Sequence, residues 1–294
     1  MNGFRTDLAM ERTVIPEGLT GVSVDTQERD GAEITWVRID TPSAAARLGK
    51  PQGCYWTLTH PRLPMMLPEE RVAIAAEASQ ILRILLPPEG DVMVLGLGNR
   101  RMTSDALGDR VVSGVMVTRY MKENRLRSVC AMSPGVLGVT GVESAELALG
   151  LTRQLRPSAV IVVDALAAME TSRICTTIQI TDTGIHPGSG VGNHRKGITA
   201  ETLKIPVIAV GIPMVVYAST IVRDALEKIM AKEASGEDAH LMAEKLTASI
   251  QDDLVVTPRG IDELVQSLAD MLALAINHAL QPDFTMEELC RCLH

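Results

Sequence analysis

Aromatic residues are scarce in this chain of 294 residues: two Trp, three Tyr and two Phe make up 2%. So few rings argue against a stacking platform for nucleic-acid bases. The core therefore falls to aliphatic side chains and to fifteen Met, whose flexible thioethers fill irregular gaps. Basic residues are outnumbered, 28 Lys and Arg against 36 Asp and Glu, for a net charge of −8. That balance argues against a general phosphate-binding surface and against nucleic acid as a direct partner, although a local basic cluster can still hold an acidic ligand. Five Cys, at positions 54, 130, 175, 290 and 292, are odd in number and show no CxxC spacing. Reduced thiols fit this usage better than a disulfide framework, and zinc is disfavoured. No run reaches about 18 consecutive apolar residues, and Met1 to Glu11 carries Arg5, Asp7 and Glu11 where a signal peptide needs an apolar centre. The expectation is a cytoplasmic protein that is neither secreted nor membrane-spanning. GxSxG is absent, so an α/β-hydrolase serine lacks its signature.

What is present is a chain 46% apolar and 22% charged, ample for a packed core. Two β-rich segments, Ile34 to Asp40 and Cys54 to His60, precede a helical stretch from Arg71 to Leu86. Strands and helices then alternate: Asp91 to Gly98 as strand, Asp105 to Lys122 as helix, Ser128 to Met132 as strand, Glu143 to Leu155 as helix. Ala159 to Val163, Ile174 to Ile180 and Pro206 to Val210 read as further strands. Helices are expected over Ala218 to Lys232, His240 to Ile250, Ile261 to Leu280 and Met286 to Cys292, with an exposed loop at Ala234 to Ala239. Continuous apolar strands alternating with helices predict an α/β fold: a mixed, mostly parallel sheet with helices on both faces. In such sheets ligands bind outside the carboxyl ends of the strands.

Three segments can carry chemistry. Leu95 to Gly108 is a strand, a Gly-rich turn and a helix start, but its GxGxxR spacing lacks both the third Gly of a dinucleotide fingerprint and the GK[ST] ending of a P-loop. From this segment alone Asp105 reads better as a first-turn carboxylate favoured by the helix dipole, with Thr103 or Ser104 as cap, than as a catalytic group. Asp164 follows the buried run Ala159 to Val163, where partial desolvation would raise its proton affinity; capping is the alternative. Two carboxylates from neighbouring strand ends can share one proton, one holding it while the other activates water, and such a pair hydrolyses a peptide with neither metal nor cofactor. The third segment, Thr181 to Lys196, is polar and Gly-rich. His186 and His194 have no HExxH-like partner at ligand spacing, whereas the cluster His194, Arg195, Lys196 can bind substrate carboxylates as readily as it can be a solvated loop.

These motifs resemble the germination protease family. The likeness runs in order through GLGN and SDALG (Gly96 to Asn99, Ser104 to Gly108), SPGVLGVTGVES (Ser133 to Ser144), VVDALAA (Val162 to Ala168), IQITDTGIHPGSGVGN (Ile178 to Asn193), ETLKIPVIAVGIP (Glu201 to Pro213) and VVTP (Val255 to Pro258). The resemblance implies an endopeptidase that degrades small acid-soluble spore proteins during germination, a homotetramer of the spore core, and a fold like that of the hydrogenase-maturation peptidases. It implies Asp105 and Asp164 as catalytic pair, and cleavage after an acidic residue and before an apolar one followed by Ala. Arg100, Arg101, His186, Arg195 and Lys196 are candidates to hold the substrate. It further implies a self-processed precursor: Thr6-Asp7-Leu8-Ala9-Met10-Glu11 repeats the cleavage pattern, making residues 1–7 a propeptide cut between Asp7 and Leu8, and 8–294 a single peptidase domain with C-terminal helices. Tyr217 departs from the family, which has an acidic residue there, and the connection from the Ala218 to Lys232 helix to Val255 is shorter than in Bacillus forms. Two competing readings are a non-catalytic anion- or nucleotide-binding α/β module and a maturation peptidase for a single partner.

Overall fold

The computed structural model describes Leu8 and residues 20–121, 125–187, 195–230 and 254–292. Among them, β1 (Val22–Arg29), β2 (Ala32–Ile39), α1 (Pro42–Leu48), β3 (Gly53–Thr59) and α2 (Pro68–Leu85) come first. The βα-alternating stretch follows: β4 (Val92–Gly96), α3 (Leu107–Gly114), β5 (Val129–Met132), α4 (Leu137–Thr140), α5 (Ser144–Leu155) and β6 (Ala159–Ala168). The chain then forms β7 (Thr177–Thr181), α6 (Ala200–Leu203), β8 (Val207–Tyr217), α7 (Ala218–Met230), β9 (Val255–Val256), α8 (Ile261–Leu280) and α9 (Met286–Cys292). The helix expected over His240 to Ile250, the loop at Ala234 to Ala239 and the shortened connection before Val255 lie outside the described residues.

The nine strands of the described residues join one sheet in the order β1-β2-β3-β7-β8-β6-β4-β5, with β9 beside β8. The expectation of a mostly parallel sheet is wrong. Among the described residues β4 with β5, β4 with β6 and β6 with β8 run parallel. The other five pairings are antiparallel. A continuous apolar run reports burial on both faces and carries no information on direction. The β6 to β7 connection is itself too short for a parallel crossover, which takes a dozen or more residues.

The central strands divide their side chains between two cores at period two. Val92 and Val94 of β4 and Ala159, Ile161 and Val163 of β6 face the larger core, with α2, α3 and α8. Met93, Leu95, Val160 and Val162 face the smaller one, closed by Ala145 and Ala148 of α5 and Leu203 of α6. Each fully buried aliphatic side chain stabilises the fold by about 1.5–3 kcal/mol before entropy is counted. A third cluster packs Ala44 and Leu48 of α1 on Val37, Ile39 and Tyr55. That helix is fixed at both ends: Thr41 accepts the Ala44 N–H, Pro42 stands in its first turn, and Gly49 closes it at φ 64°. α8 is tied to the parallel half by side chains that replace missing backbone partners. Asn277 accepts from Met116 N at 2.8 Å and donates to Gly114 O at 2.9 Å. Gln281 does the same for Arg127, accepting from its N at 3.0 Å and donating to its O at 2.9 Å.

Three boundaries that shape the site differ from the expected ones. α3 is shorter, because after Val115 the chain turns to lay Thr118 N and Oγ1 on Val129 at 3.0 Å each. β6 and β8 are longer, running together past Asp164 as far as Ala168 and Val216. Their pairing slips between Leu166 and Ala167, so β8 gains one residue, a bulge of the kind that re-aims side chains beside functional sites. The bulge is held from outside the pair: Cys175 N donates to Pro213 O at 2.8 Å and Thr257 Oγ1 to Met214 O at 2.9 Å. No helix among the described residues is long and apolar enough to cross a membrane.

Candidate active site

β4 stops at Gly96 opposite Val163, while β6 continues. This step in the sheet edge opens a cleft of about 250 Å³. Its position follows from three glycines. Gly96 and Gly108 let α3 descend onto the strand ends: a Cβ on Gly108 would meet Leu97 N and O at 2.4 Å each and Val163 O at 2.6 Å. Gly98, at φ +104°, turns the chain back over the following short helical turn, Thr103–Asp105. Leu97 N donates to Val163 O at 2.8 Å, so the loop is bonded to β6 one residue before Asp164.

Asp105 and Asp164 both line this cleft, with Leu97, Ser144, Leu166, Ile185, His186 and Arg195 among the other walls. Asp105 does not cap α3, whose first turn receives no side-chain bond. Its Oδ2 reaches back to accept Asn99 N at 2.8 Å. Burial pushes its carboxyl above the ordinary carboxylate value, while the Asn99 N–H and the nearby Arg195 guanidinium pull the other way without cancelling the rise. Thr103 is no cap either, for its hydroxyl donates to Asp262 on α8 at 2.8 Å and tethers the turn.

Asp164 is placed differently from the expectation. It is not beyond a strand end but within β6, opposite Gly211 of β8, and it is buried. What stops at its level is the neighbouring β4, so the flank facing the 97–105 loop has no strand beside it. Asp164 Oδ1 accepts from Ala165 N at 2.9 Å, and there is no helix start there for it to cap. Gly211 leaves the space that a side chain would fill, since its Cβ would stand 2.6 Å from Leu166 Cγ and 2.8 Å from Asp164 O.

The basic candidates separate into two groups. Arg195 lines the cleft beside Asp105, and His186 lies at its mouth with its ring against Gly197, where a Cβ would come within 2.6 Å. Arg100 and Arg101 flank a second hollow of about 250 Å³ with Ser133 to Val136. That hollow adjoins the cleft, sharing Gly98 and Val136 with it. Lys196 is exposed and lines neither hollow. Asp7 and His194 lie outside the described residues. Among the described residues no three His, Cys, Asp or Glu side chains gather as a metal site. Tyr217 is buried at the end of β8 and does not line the cleft, although its cross-strand partner Val255 does. Sequence reasoning missed Ser144, Leu166 and Val215 as cleft residues. The first two fall inside SPGVLGVTGVES and VVDALAA, but polarity alone draws the eye to Asp164.

Residues 6–237 match the family model described as germination protease. The chain is 41% identical to a germination protease of Caldanaerobacter subterraneus subsp. tengcongensis, over 99% of this chain and 98% of that one. It is 36% identical to one of Clostridium perfringens over the whole of both chains. It is 34% identical to one of Bacillus cytotoxicus over 94% of this chain and 93% of that one. Among solved structures, the [NiFe] hydrogenase maturation protease HycI from Thermococcus kodakarensis KOD1 aligns with 67% of this chain and 98% of its own. Its identity of 17% and TM-score of 0.35 are too low to carry the expected likeness of fold. Matched over most of its length by the family model and over nearly all of it by these relatives, the chain belongs to the germination protease family and is an endopeptidase.

Proposed function

We propose that this chain opens the degradation of small acid-soluble spore proteins, that Asp105 and Asp164 are its hydrolytic pair, and that it is made as a precursor with residues 1–7 as propeptide and 8–294 as the peptidase domain. The observation that carries the reading is that both carboxylic residues line one cleft, with Asp105 inclined by burial to keep its proton. The working form is a homotetramer in the spore core, supported by the sequence resemblance.

In the reaction, Asp164 takes a proton from water as the water oxygen bonds to the scissile carbonyl carbon, and Asp105 gives its proton to the carbonyl oxygen. The tetrahedral species then collapses: one hydroxyl proton returns to Asp105, the C–N bond breaks, and the proton on Asp164 passes to the leaving nitrogen. One water is consumed and both carboxyl groups end as they began.

Arg195 is positioned to read the acid before the cut, with Arg100 and Arg101 along the adjoining hollow and His186 at the mouth. A charge-assisted hydrogen bond contributes about 1.5–3 kcal/mol, so Arg195→Ala is expected to lower the Glu-over-Gln preference on paired peptides by at least about 10-fold. Wild-type discrimination in the variant would remove Arg195 from this role. Self-processing is checked by N-terminal sequencing. As pH falls the raised Asp105 carboxyl becomes protonated before an ordinary carboxylate does, so incubation at mildly acidic pH yields Leu8 as first residue, and Asp105→Asn blocks it. An intact wild-type chain, or equal trimming in the variant, would overturn the precursor reading.

A further inference from the structure

Leu8 is completely buried. Its side chain sits in an apolar seat formed by Leu166 and Ala168 of β6 and Val216 of β8, with Ile185 at the edge. Two of these residues, Leu166 and Ile185, are also walls of the cleft that holds Asp105 and Asp164. Leu166 and Ala168 follow Asp164 at two-residue steps, so all three side chains leave the same face of the strand, Leu166 about 7 Å along from the carboxylate. Ala168 and Val216 are directly paired across β6 and β8, beyond the bulge. The seat is therefore continuous with the reacting groups, on one face of one strand, and it is floored by a small residue.

We infer that this seat is the pocket for the apolar residue immediately after the scissile bond. In the precursor it is filled by the chain's own Leu8, which presents the Asp7–Leu8 bond and at the same time denies the pocket to other substrates. The inference rests on the reading of Asp7–Leu8 as the processed bond. Its physical content is separate: Leu166, Ala168 and Val216 set the size of the residue accepted. Ala168 sets the depth. With no side chain beyond Cβ, it leaves room for a branched four-carbon side chain above it, and any longer residue at 168 would occupy that room.

The test uses processed enzyme and peptides that differ only at the residue after the acid, with Leu, Ala or Phe there. A hydrophobic pocket separates side chains by about 10–200-fold for each methylene or so of mismatch. Wild-type enzyme is expected to favour Leu over Ala by at least about 10-fold in kcat/KM. Ala168→Leu fills the seat, and the preference should reverse to Ala over Leu. Val216→Ala enlarges the seat and should shift preference toward Phe. Opposite shifts from a filling and an enlarging change cannot arise from a partly unfolded enzyme, and thermal unfolding midpoints close to wild type report a sound fold in both variants. Wild-type Leu:Ala:Phe ratios in both variants would overturn the inference. N-terminal sequencing separates the two readings: if processing exposes a residue other than Leu8 yet both shifts appear, the pocket stands and the assignment of the processed bond falls.

Discussion

Asp164→Asn and Asp105→Asn each lower peptide hydrolysis by at least about 10³-fold, an effect of about 4 kcal/mol on the transition state. Neither change should unfold the chain. At Asp164 the amide oxygen can still accept Ala165 N, and at Asp105 it can still accept Asn99 N. For Asp105 the sign of the stability effect follows from its raised carboxyl. The folded chain holds this proton to higher pH than the unfolded chain does, so its ionisation costs stability. The cost grows as pH rises from the ordinary value of 3.8 through the raised one and is then constant. Asn carries no such cost. Asp105→Asn should therefore be at least as stable as wild type at neutral pH, and the difference should vanish in acid, below the ordinary value. Thermal unfolding across pH checks the stability arm and single-turnover kinetics the catalytic arm. An Asp164→Asn enzyme of near wild-type turnover would dismiss the dyad, and an Asp105→Asn protein that is less stable than wild type at neutral pH, with the difference vanishing in acid, would reverse the assigned cause.

How much of this site was legible beforehand depends on what each residue signals alone. Asp164 was visible because it directly follows an apolar run, and Asp105 chiefly because it stands in the family-like motif SDALG. Their meeting was not, since it depends on β6 outrunning β4, and a strand's end in sequence is masked when the following residues, here Ala165 to Ala168, suit either strand or helix. β1 was missed because its side chains are polar and almost wholly exposed, with no burial pattern for periodicity to find. The antiparallel half was misjudged for a related reason: β7 is buried along its whole length and reads like a parallel core strand, yet pairs antiparallel with both neighbours. Arg100 and Arg101 were grouped with Arg195 by charge alone, and only the course of the loop from Gly98 to Asp105 separates the hollow they flank from the cleft. The apolar seat of Leu8 was invisible for the converse reason, as Leu166, Ala168 and Val216 each look like ordinary core residues.

The same one-carbon change should have opposite effects at two glycines. Gly108→Ala places a methyl 2.4 Å from Leu97 N and O and 2.6 Å from Val163 O. All three are backbone atoms of the loop and of β6, so no side chain can swing aside, and Leu97 N is also the donor that ties the loop to Val163. To fit the methyl, α3 and the Thr103–Asp105 turn must lift from β6, carrying Asp105 away from Asp164. A displacement of about 1 Å at a catalytic group costs about 100-fold in rate, so Gly108→Ala is expected to lose at least that much activity, together with stability on the scale of an overpacked core, about 1–3 kcal/mol. Gly150 lies within α5 and has open space around it, with nothing within 4 Å of an added Cβ. There Ala relieves the backbone entropy that Gly imposes on a helix and should add about 0.5–1 kcal/mol of stability with unchanged activity. Denaturant midpoints and kcat/KM measured on both variants check the pair. A Gly108→Ala enzyme of wild-type activity would mean that the loop can leave β6 without moving Asp105, and the close packing of α3 on the strand ends would then no longer explain where the carboxyl group sits.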